Sequence, residues 1–226
     1  IDKLQLTKLD KISILIQLMK VIEFLHQKNL IFRDLKPDNI IIDQFKTPIL
    51  IDFDRIISYD SISKNQTHTS DIGSCFMDPD VNTGDFSYEC DIYSLGKIIY
   101  YVMLEKIPKY NDSLHFGNYQ EIKPIYLKCI DKNVKCRPSI SELIFEFIYN
   151  YIPLFLDENI NYIYIQFIIG TIFTTGKYVA RDIKKAIQYY KLGASFNYSK
   201  SLFNLGIVYI EKDFLVQDIN LSIQYF

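Results

Sequence analysis

Residues 32–39 read FRDLKPDN, and residues 52–54 read DFD; these two stretches are the most informative part of the sequence for the fold. Together they place an acid, a cation and two further oxygen donors in one order: Asp34, Lys36, Asn39 and Asp52. Phosphoryl transfer uses a carboxylate to orient the attacking hydroxyl, a cation beside the moving phosphoryl group, and oxygen ligands for magnesium. The spacing therefore predicts a phosphoryl-transfer site built from these four residues.

Both stretches resemble the catalytic loop and the metal-binding loop of eukaryotic-type protein kinases, with the DLKPxN core of the serine/threonine class. The resemblance implies that Asp34 is the catalytic base and that Lys36 touches the transferred phosphoryl group of ATP. It also implies that Asn39 and Asp52 each hold Mg²⁺, and that the substrates are protein hydroxyls. Pro, Asp and Asn also favour ordinary turns, but the combination with Arg33 favours the site.

Length, composition and charge restrict the classes of protein that the chain can belong to. The 226 residues are 49% hydrophobic, enough for one large domain or two small ones. A net charge of −2 gives no basic field, so we expect no nucleic-acid partner. The four cysteines form no Cys-x-x-Cys pair, which argues against zinc and favours free thiols in a reducing, cytoplasmic location. The chain opens at Ile1 without a secretion pattern, so we expect a fragment of a longer product.

One uncharged segment, residues 159–176, invites a membrane interpretation. Its length of 18 lies at the lower limit for spanning a bilayer, and it contains several Asn, Gln and Thr residues. We therefore expect no membrane span, because the repeat described below accounts for the same residues.

The flanking sequence resembles the larger, C-terminal lobe of a protein kinase, a mainly α-helical fold with short β-strands. Apolar residues at helical spacing predict a helix over residues 9–29, with Thr7 and Asp10 as a capping box. Brief β-branched runs at 40–42 and 49–51 predict strands. We assign residues 1–153 to this lobe.

Three downstream stretches continue the resemblance: GSCFMDPD at 73–80, SYECDIYSLG at 87–96 and KCRPS at 135–139. The first resembles the substrate-facing segment that ends in Ala-Pro-Glu, and it implies that Ser74 bonds the base and the lysine. The second implies that Asp91 bonds the backbone of the catalytic loop. The third implies that Arg137 pairs with Asp80, the residue in place of the glutamate.

Hydroxyl residues in the variable segment between Asp52 and Asp80 offer a switch. The resemblance implies that phosphorylation of Thr67, Thr69 or Ser70 orders the segment by pairing the phosphate with Arg33. An ordinary polar loop explains these hydroxyl residues equally well. Two further positions depart from the family pattern, in addition to Asp80: Phe32 replaces histidine, and Asp54 replaces the glycine of Asp-Phe-Gly.

Beyond Pro153 the chain repeats itself at an offset of 36 residues. Such a period predicts stacked helical hairpins, each with a glycine where two helices approach and an aspartate that caps the second helix. The pattern is similar to Sel1-like repeats, which implies about two repeats over 160–226, the second truncated, and protein partners. The matching pairs are Phe167/Phe203, Gly170/Gly206, Phe173/Tyr209, Asp182/Asp218, Ile183/Ile219, Ile187/Ile223, Gln188/Gln224 and Tyr189/Tyr225.

Half of an ATP site is missing from the 226 residues. No Gly-x-Gly-x-x-Gly loop occurs, and no strand lysine with a paired helix glutamate precedes Asp34. We therefore expect the isolated chain to be inactive. Two hypotheses stay open: an active serine/threonine kinase whose nucleotide-binding lobe lies upstream of Ile1, or a pseudokinase or kinase-derived scaffold that binds partners through the repeats.

Overall fold

The computed structural model describes residues 5–61, 75–79, 86–108, 115–157, 163–176, 179–211 and 218–225. Contacts between Cα atoms divide the chain into an N-terminal unit, Ile1–Phe147, and a C-terminal unit, Ile148–Phe226. The described part of the N-terminal unit is mostly helical with a few short strands, in agreement with the fold class predicted from the sequence.

The first helix, α1, spans Lys8–Gln27 and begins at the predicted capping box. The Thr7 hydroxyl accepts a hydrogen bond from the Asp10 N–H at 3.1 Å, and the Asp10 carboxylate accepts one from the Thr7 N–H at 2.9 Å. Each bond satisfies a backbone donor that a helix start leaves unpaired. The predicted apolar stripe is buried, and it consists of Ile12, Leu15, Ile16, Met19, Ile22 and Leu25.

Two small antiparallel ladders follow α1 and frame the acid-rich loop. Strand β1 (Leu30–Ile31) pairs with β4 (Ile57–Ser58), and β2 (Ile40–Ile42) pairs with β3 (Pro48–Leu50). A single 3₁₀ turn, Pro37–Asn39, joins the loop to β2. The chemistry-bearing residues therefore lie on loops between short strands, as the sequence predicts.

Helix α2, Tyr88–Leu104, is the most deeply buried helix of the N-terminal unit among the described elements. It packs against α1 and against α3, Lys123–Cys129. The rings of Tyr100, Phe116 and Tyr126 meet at centroid distances of 5.3–5.7 Å and fill the space beside it. Helix α4, Ile140–Asp157, follows.

In the described part of the C-terminal unit, four helices follow α4: α5 (Ile163–Thr175), α6 (Ile183–Ala194), α7 (Ser199–Ile210) and α8 (Ile219–Tyr225). Each packs on the next along the chain. In α5, Gly170 permits the close approach that the sequence predicts, because a Cβ built there would lie 2.6 Å from the Tyr190 ring.

The predicted period of 36 residues is visible in the contacts of this unit. Asp182 accepts from the Lys185 N–H at 3.0 Å, and Asp218 accepts from the Leu221 N–H at 2.9 Å. Their own N–H groups donate to the carbonyls of Phe173 and Tyr209, at 3.0 and 2.8 Å. The ring stacks repeat as well, since Phe173–Tyr189 and Tyr209–Tyr225 both have centroid distances of 5.9 Å.

No helix in the described residues is long and apolar enough to cross a membrane. Within the uncharged segment, Ile163–Thr175 form α5, a helix of 13 residues.

Candidate active site

Asp34 is the centre of the site. Its side chain is buried, with 5% of the residue exposed. The Asn39 amide Nδ2 donates to the Asp34 carbonyl oxygen at 2.8 Å and to its carboxylate Oδ2 at 3.0 Å. Lys36 Nζ lies 3.1 Å from the same Oδ2. Three of the four residues predicted from the motif are therefore together in one cluster.

A buried carboxylate on α2 fixes the loop from behind. Asp91, fully buried, accepts hydrogen bonds from the backbone N–H groups of Phe32 and Arg33, both at 2.9 Å. The contact implied by the resemblance is thus present. Arg33 has a left-handed backbone, with φ of +68°, which costs free energy for a residue with a side chain. The two bonds from Asp91 help to hold that turn immediately before Asp34.

His26, in the last turn of α1, extends this network. Its Nε2 lies 2.9 Å from the Asp91 carboxylate, and its ring lies 4.8 Å from that of Tyr88. His26 and Asp91 are 65 residues apart. No local pattern connects residues at that separation, so the sequence carried no signal for the pair.

The metal-binding loop approaches the same cluster through its backbone. The Ile51 N–H donates to the Asn39 carbonyl at 3.0 Å, which places Asp52 one residue beyond this contact. Asp52 is exposed and has a left-handed φ of +62°. The Phe53 ring meets the Phe32 ring edge-on at 5.7 Å. Phe32 therefore supports the second loop at the position where many kinases resembling this chain have histidine.

The donor set suits magnesium together with a phosphate ligand. Both hydrogen bonds of the Asn39 side chain use Nδ2, which leaves its amide oxygen as the atom for a cation. The exposed Asp52 carboxylate is a second hard oxygen ligand, and Asp54 adds a further exposed carboxylate. Among the described residues, no three His, Cys, Asp or Glu side chains cluster as a metal site. Mg²⁺ commonly takes only one or two protein ligands and completes its shell with water and phosphate oxygens.

A second cation near the base was not predicted. Arg55 Nε lies 3.9 Å from Asp34 Oδ2, and the Arg55 carbonyl accepts from Arg33 Nε at 2.6 Å. The Arg33 guanidinium also lies 4.6 Å from the centre of the Phe86 ring. Burial, with a contribution from the nearby Arg55 charge, lowers the pKa of Arg33. Arg55 follows Asp54 directly, and the motif gave no reason to single it out.

Arg137 has a carboxylate partner that the sequence analysis did not assign. Its guanidinium pairs with Asp78, and both side chains are 1% exposed. Arg137 also donates to the carbonyl oxygens of Glu89 at 3.1 Å and Asp131 at 2.9 Å. The resemblance implied Asp80 as the carboxylate that pairs with Arg137. The structure shows Asp78, two residues earlier in the DPD stretch, in a pair with Arg137.

Several predicted residues cannot be placed. Thr67, Thr69, Ser70, Ser74 and Asp80 lie outside the described residues. Their roles stay predictions, as do the catalytic roles of Asp34, Lys36, Asn39 and Asp52.

Comparison with known proteins agrees with this geometry. A family model described as the protein kinase domain matches residues 2–154. A candidate serine/threonine-protein kinase of Acanthamoeba polyphaga mimivirus is 34% identical over 167 residues, covering 63% of this chain and 59% of the relative. Serine/threonine-protein kinase D of Synechocystis is 29% identical over 140 residues, covering 56% and 28%. Calcium-dependent protein kinase 4 of Plasmodium falciparum is 29% identical over 145 residues, covering 58% and 27%.

The chain spans at most 59% of the length of these relatives. The family match ends at residue 154, before the helices that repeat at an offset of 36. Within residues 2–154 it includes the buried acid, the loop that carries it and the carboxylate on α2. The chain belongs to the protein kinase domain family.

Proposed function

We propose that this protein transfers the γ-phosphoryl group of ATP to serine or threonine hydroxyls of protein substrates. The observation that carries the proposal is the buried Asp34 carboxylate, held by Asn39 and Lys36 on a loop that Asp91 fixes. A carboxylate in a fixed position can orient a hydroxyl and accept its proton. Lys36 places a positive charge next to that carboxylate, where the transferred phosphoryl group would lie.

Asn39 and Asp52 would hold magnesium through their side-chain oxygens. The ion, when bound, neutralises the developing charge on the phosphate oxygens. The contribution of the chain is to keep the two ligands next to the base, through the hydrogen bond from the Ile51 N–H to the Asn39 carbonyl.

An apolar surface next to the site is exposed to solvent, which supports a contact with a further part of the protein. On the β2–β3 hairpin, Ile41 and Ile49 face each other and are 49% and 46% exposed, and Phe45 at its turn is 78% exposed. Ile41 is two residues beyond Asn39. Such a patch on a soluble domain commonly marks a contact surface. We propose that a nucleotide-binding lobe outside these 226 residues covers it, with the glycine-rich loop and strand lysine that the chain lacks.

Arg33 and Arg55 support a phosphate switch. The two guanidinium groups lie on adjacent loops beside the base, and their mutual repulsion would fall if a phosphate lay between them. We propose phosphorylated Thr67, Thr69 or Ser70 as the source. Phosphopeptide mapping of the active protein would test this, and the absence of phosphate on all three residues would contradict it.

For the C-terminal unit we propose Sel1-like repeats that bind protein partners. The contacts that recur 36 residues apart support it, because repeat arrays present extended surfaces to partners. We also propose a cytoplasmic location, supported by four cysteines that form no disulfide in the described residues.

The experiment on the first proposal uses the full-length gene product, magnesium, labelled ATP and a generic protein substrate. We expect phosphorylation that disappears when the metal is chelated. Asp52→Asn should lower kcat about a hundredfold or more, because a neutral amide oxygen replaces the negatively charged carboxylate that would hold the ion. Unchanged turnover in Asp52→Asn would contradict the assignment.

One observation favours a second candidate, a pseudokinase or scaffold. Asp54 adds a negative charge beside Asp52 where the family has glycine, and it can restrict the loop. A thermal-shift titration of the full-length protein with magnesium and ATP separates the two. A saturable rise in Tm supports nucleotide binding, whereas no rise at any ATP concentration favours the scaffold.

A further inference from the structure

The C-terminal unit has an open groove between α5 and α7. Its volume is about 420 Å³, within the range of pockets that take peptide side chains or small ligands. Its lining residues are Phe167 on α5 and Ser199, Lys200, Phe203 and Asn204 on α7. Nothing in the proposed phosphoryl-transfer site uses these residues.

The two aromatic rings occupy equivalent positions in successive repeats. Phe167 and Phe203 are 36 residues apart, the offset at which the aspartate caps and ring stacks also recur. Phe203 is 56% exposed, so the groove is open along its side. A ligand that crosses α5 and α7 therefore meets one ring from each repeat. This geometry suits an extended chain with bulky apolar side chains, because each ring supplies contact area at low entropic cost.

The charge in the groove has one sign. Lys200 is the only charged residue in the sequences of α5 and α7. Its Nζ lies 5.9 Å from the centre of the Phe167 ring, at the edge of the aromatic floor. Ser199 and Asn204 add hydrogen-bonding groups on the same helix. A cation next to an apolar surface favours a ligand that carries a carboxylate close to its apolar side chains.

We propose that this groove binds an extended peptide segment of a partner protein that carries a bulky apolar side chain flanked by acidic residues. The open shape favours a chain passing through over an enclosed small molecule. Five lining residues are few compared with the roughly 20–30 residues on each side of a stable interface between folded proteins. That size argues against a second copy of the chain as the occupant.

This inference rests on the partner-binding role proposed for the repeats and is independent of phosphoryl transfer. The test uses the 226-residue chain and a fluorescein-labelled peptide, Gly-Asp-Asp-Phe-Leu-Asp-Asp-Gly, followed by fluorescence anisotropy. Matched peptides replace the aspartates with asparagines or the Phe-Leu pair with serines. We expect saturable binding of the first peptide and at least about fivefold weaker binding of each matched peptide.

Two variants and two controls locate the site. Lys200→Gln should weaken binding about fivefold, and Phe203→Ala about tenfold, since the first removes the cation and the second an aromatic contact. Lys184→Gln and Phe196→Ala change the same residue types at exposed positions outside the groove, and binding should stay within about twofold. Circular dichroism checks that each variant retains its helix content.

Several results would overturn the proposal. Among the peptide measurements, they are the absence of saturable binding, equal binding of a matched peptide, and wild-type affinity in both Lys200→Gln and Phe203→Ala. Self-association that Phe203→Ala abolishes in sedimentation experiments would assign the groove to a second copy and also overturn it. Partner capture by the repeats that persists in both groove variants would leave the partner role intact while rejecting this groove.

Discussion

Asp91 in the N-terminal unit and Asp182 in the C-terminal unit both accept hydrogen bonds from backbone N–H groups, but in opposite settings. Asp91 is fully buried and its donors, Phe32 and Arg33, are 59 and 58 residues away. The Asp182 side chain is 37% exposed and its donor, Lys185, is three residues away. The N-terminal unit thus fixes its loop with a buried, long-range charge, whereas the C-terminal unit uses a local helix cap in contact with solvent.

This difference in burial predicts how much stability each unit loses when such a carboxylate is removed. A local, exposed cap can be replaced by water when it is lost. A buried carboxylate that satisfies distant donors has no such substitute, because water does not reach those donors. The free energy of unfolding should therefore fall more for charge removal in the N-terminal unit than for cap removal in the C-terminal unit.

The largest effect is expected at the Arg137–Asp78 pair, where both side chains are 1% exposed. Arg137→Met should lower the free energy of unfolding by about 3–5 kcal/mol, because the Asp78 carboxylate is left buried without its cation. Urea unfolding of the 226-residue chain measures it. The double variant Arg137→Met/Asp78→Leu should recover part of the loss, and a loss below about 1 kcal/mol in the single variant would contradict the comparison.

Removal of the Asp91 carboxylate should give the second-largest loss in the free energy of unfolding. Asp91→Ala leaves the N–H groups of Phe32 and Arg33 without their acceptor and should cost about 2–4 kcal/mol. Asp91→Asn keeps one oxygen acceptor and should cost less than Asp91→Ala. Equal urea midpoints for wild type and Asp91→Ala would show that the loop does not depend on this carboxylate.

Removal of a helix cap in the C-terminal unit should lower the free energy of unfolding by a smaller amount. Asp182→Ala removes the acceptor for the Lys185 N–H and should cost about 1 kcal/mol. Asp218→Ala, 36 residues later, serves as the matched variant and should cost about the same, since it removes the equivalent bond to Leu221. A loss as large as that of Asp91→Ala would remove the distinction between the two units.

The smallest effect is a pH dependence at Asp10, a helix cap inside the N-terminal unit. Burial raises the pKa of Asp10, but hydrogen bonds from Lys46 Nζ at 2.7 Å and from Thr7 outweigh it, so the pKa lies below its ordinary value. The stabilisation is therefore present above a pH of about 4 and is lost as the pH falls through the lowered pKa. Urea midpoints at neutral and acidic pH should differ less in Asp10→Asn than in wild type. The exposed Asp38→Asn serves as control, and identical acid sensitivity in wild type and Asp10→Asn would contradict the prediction.

Local and periodic features could be predicted from the sequence. The capping box of α1 is encoded within four residues, and the repeat contacts are encoded by matching residues at a fixed offset. The cluster of Asp34, Lys36 and Asn39 follows from a motif contained in six residues. In each case the interacting groups are close in sequence or recur with a period.

Partners that meet only through tertiary packing were missed. His26 reaches Asp91 across 65 residues, and Asp78 reaches Arg137 across 59. In the second case the resemblance implied Asp80 as the partner of Arg137, whereas the packing shows Asp78 paired with it. Arg55 was missed because its place beside Asp34 depends on how the two loops fold together.

The proposed role of Asp34 as the catalytic base is tested most simply by comparing phosphoryl transfer by the full-length protein in Asp34→Asn and Asp38→Asn. Both variants remove one carboxylate from the same loop, but Asp34 is buried in the cluster and Asp38 is exposed. We expect Asp34→Asn to lower kcat about 10²–10⁴-fold, whereas kcat of Asp38→Asn stays within about twofold of wild type. Equal activity of Asp34→Asn and wild type would contradict it.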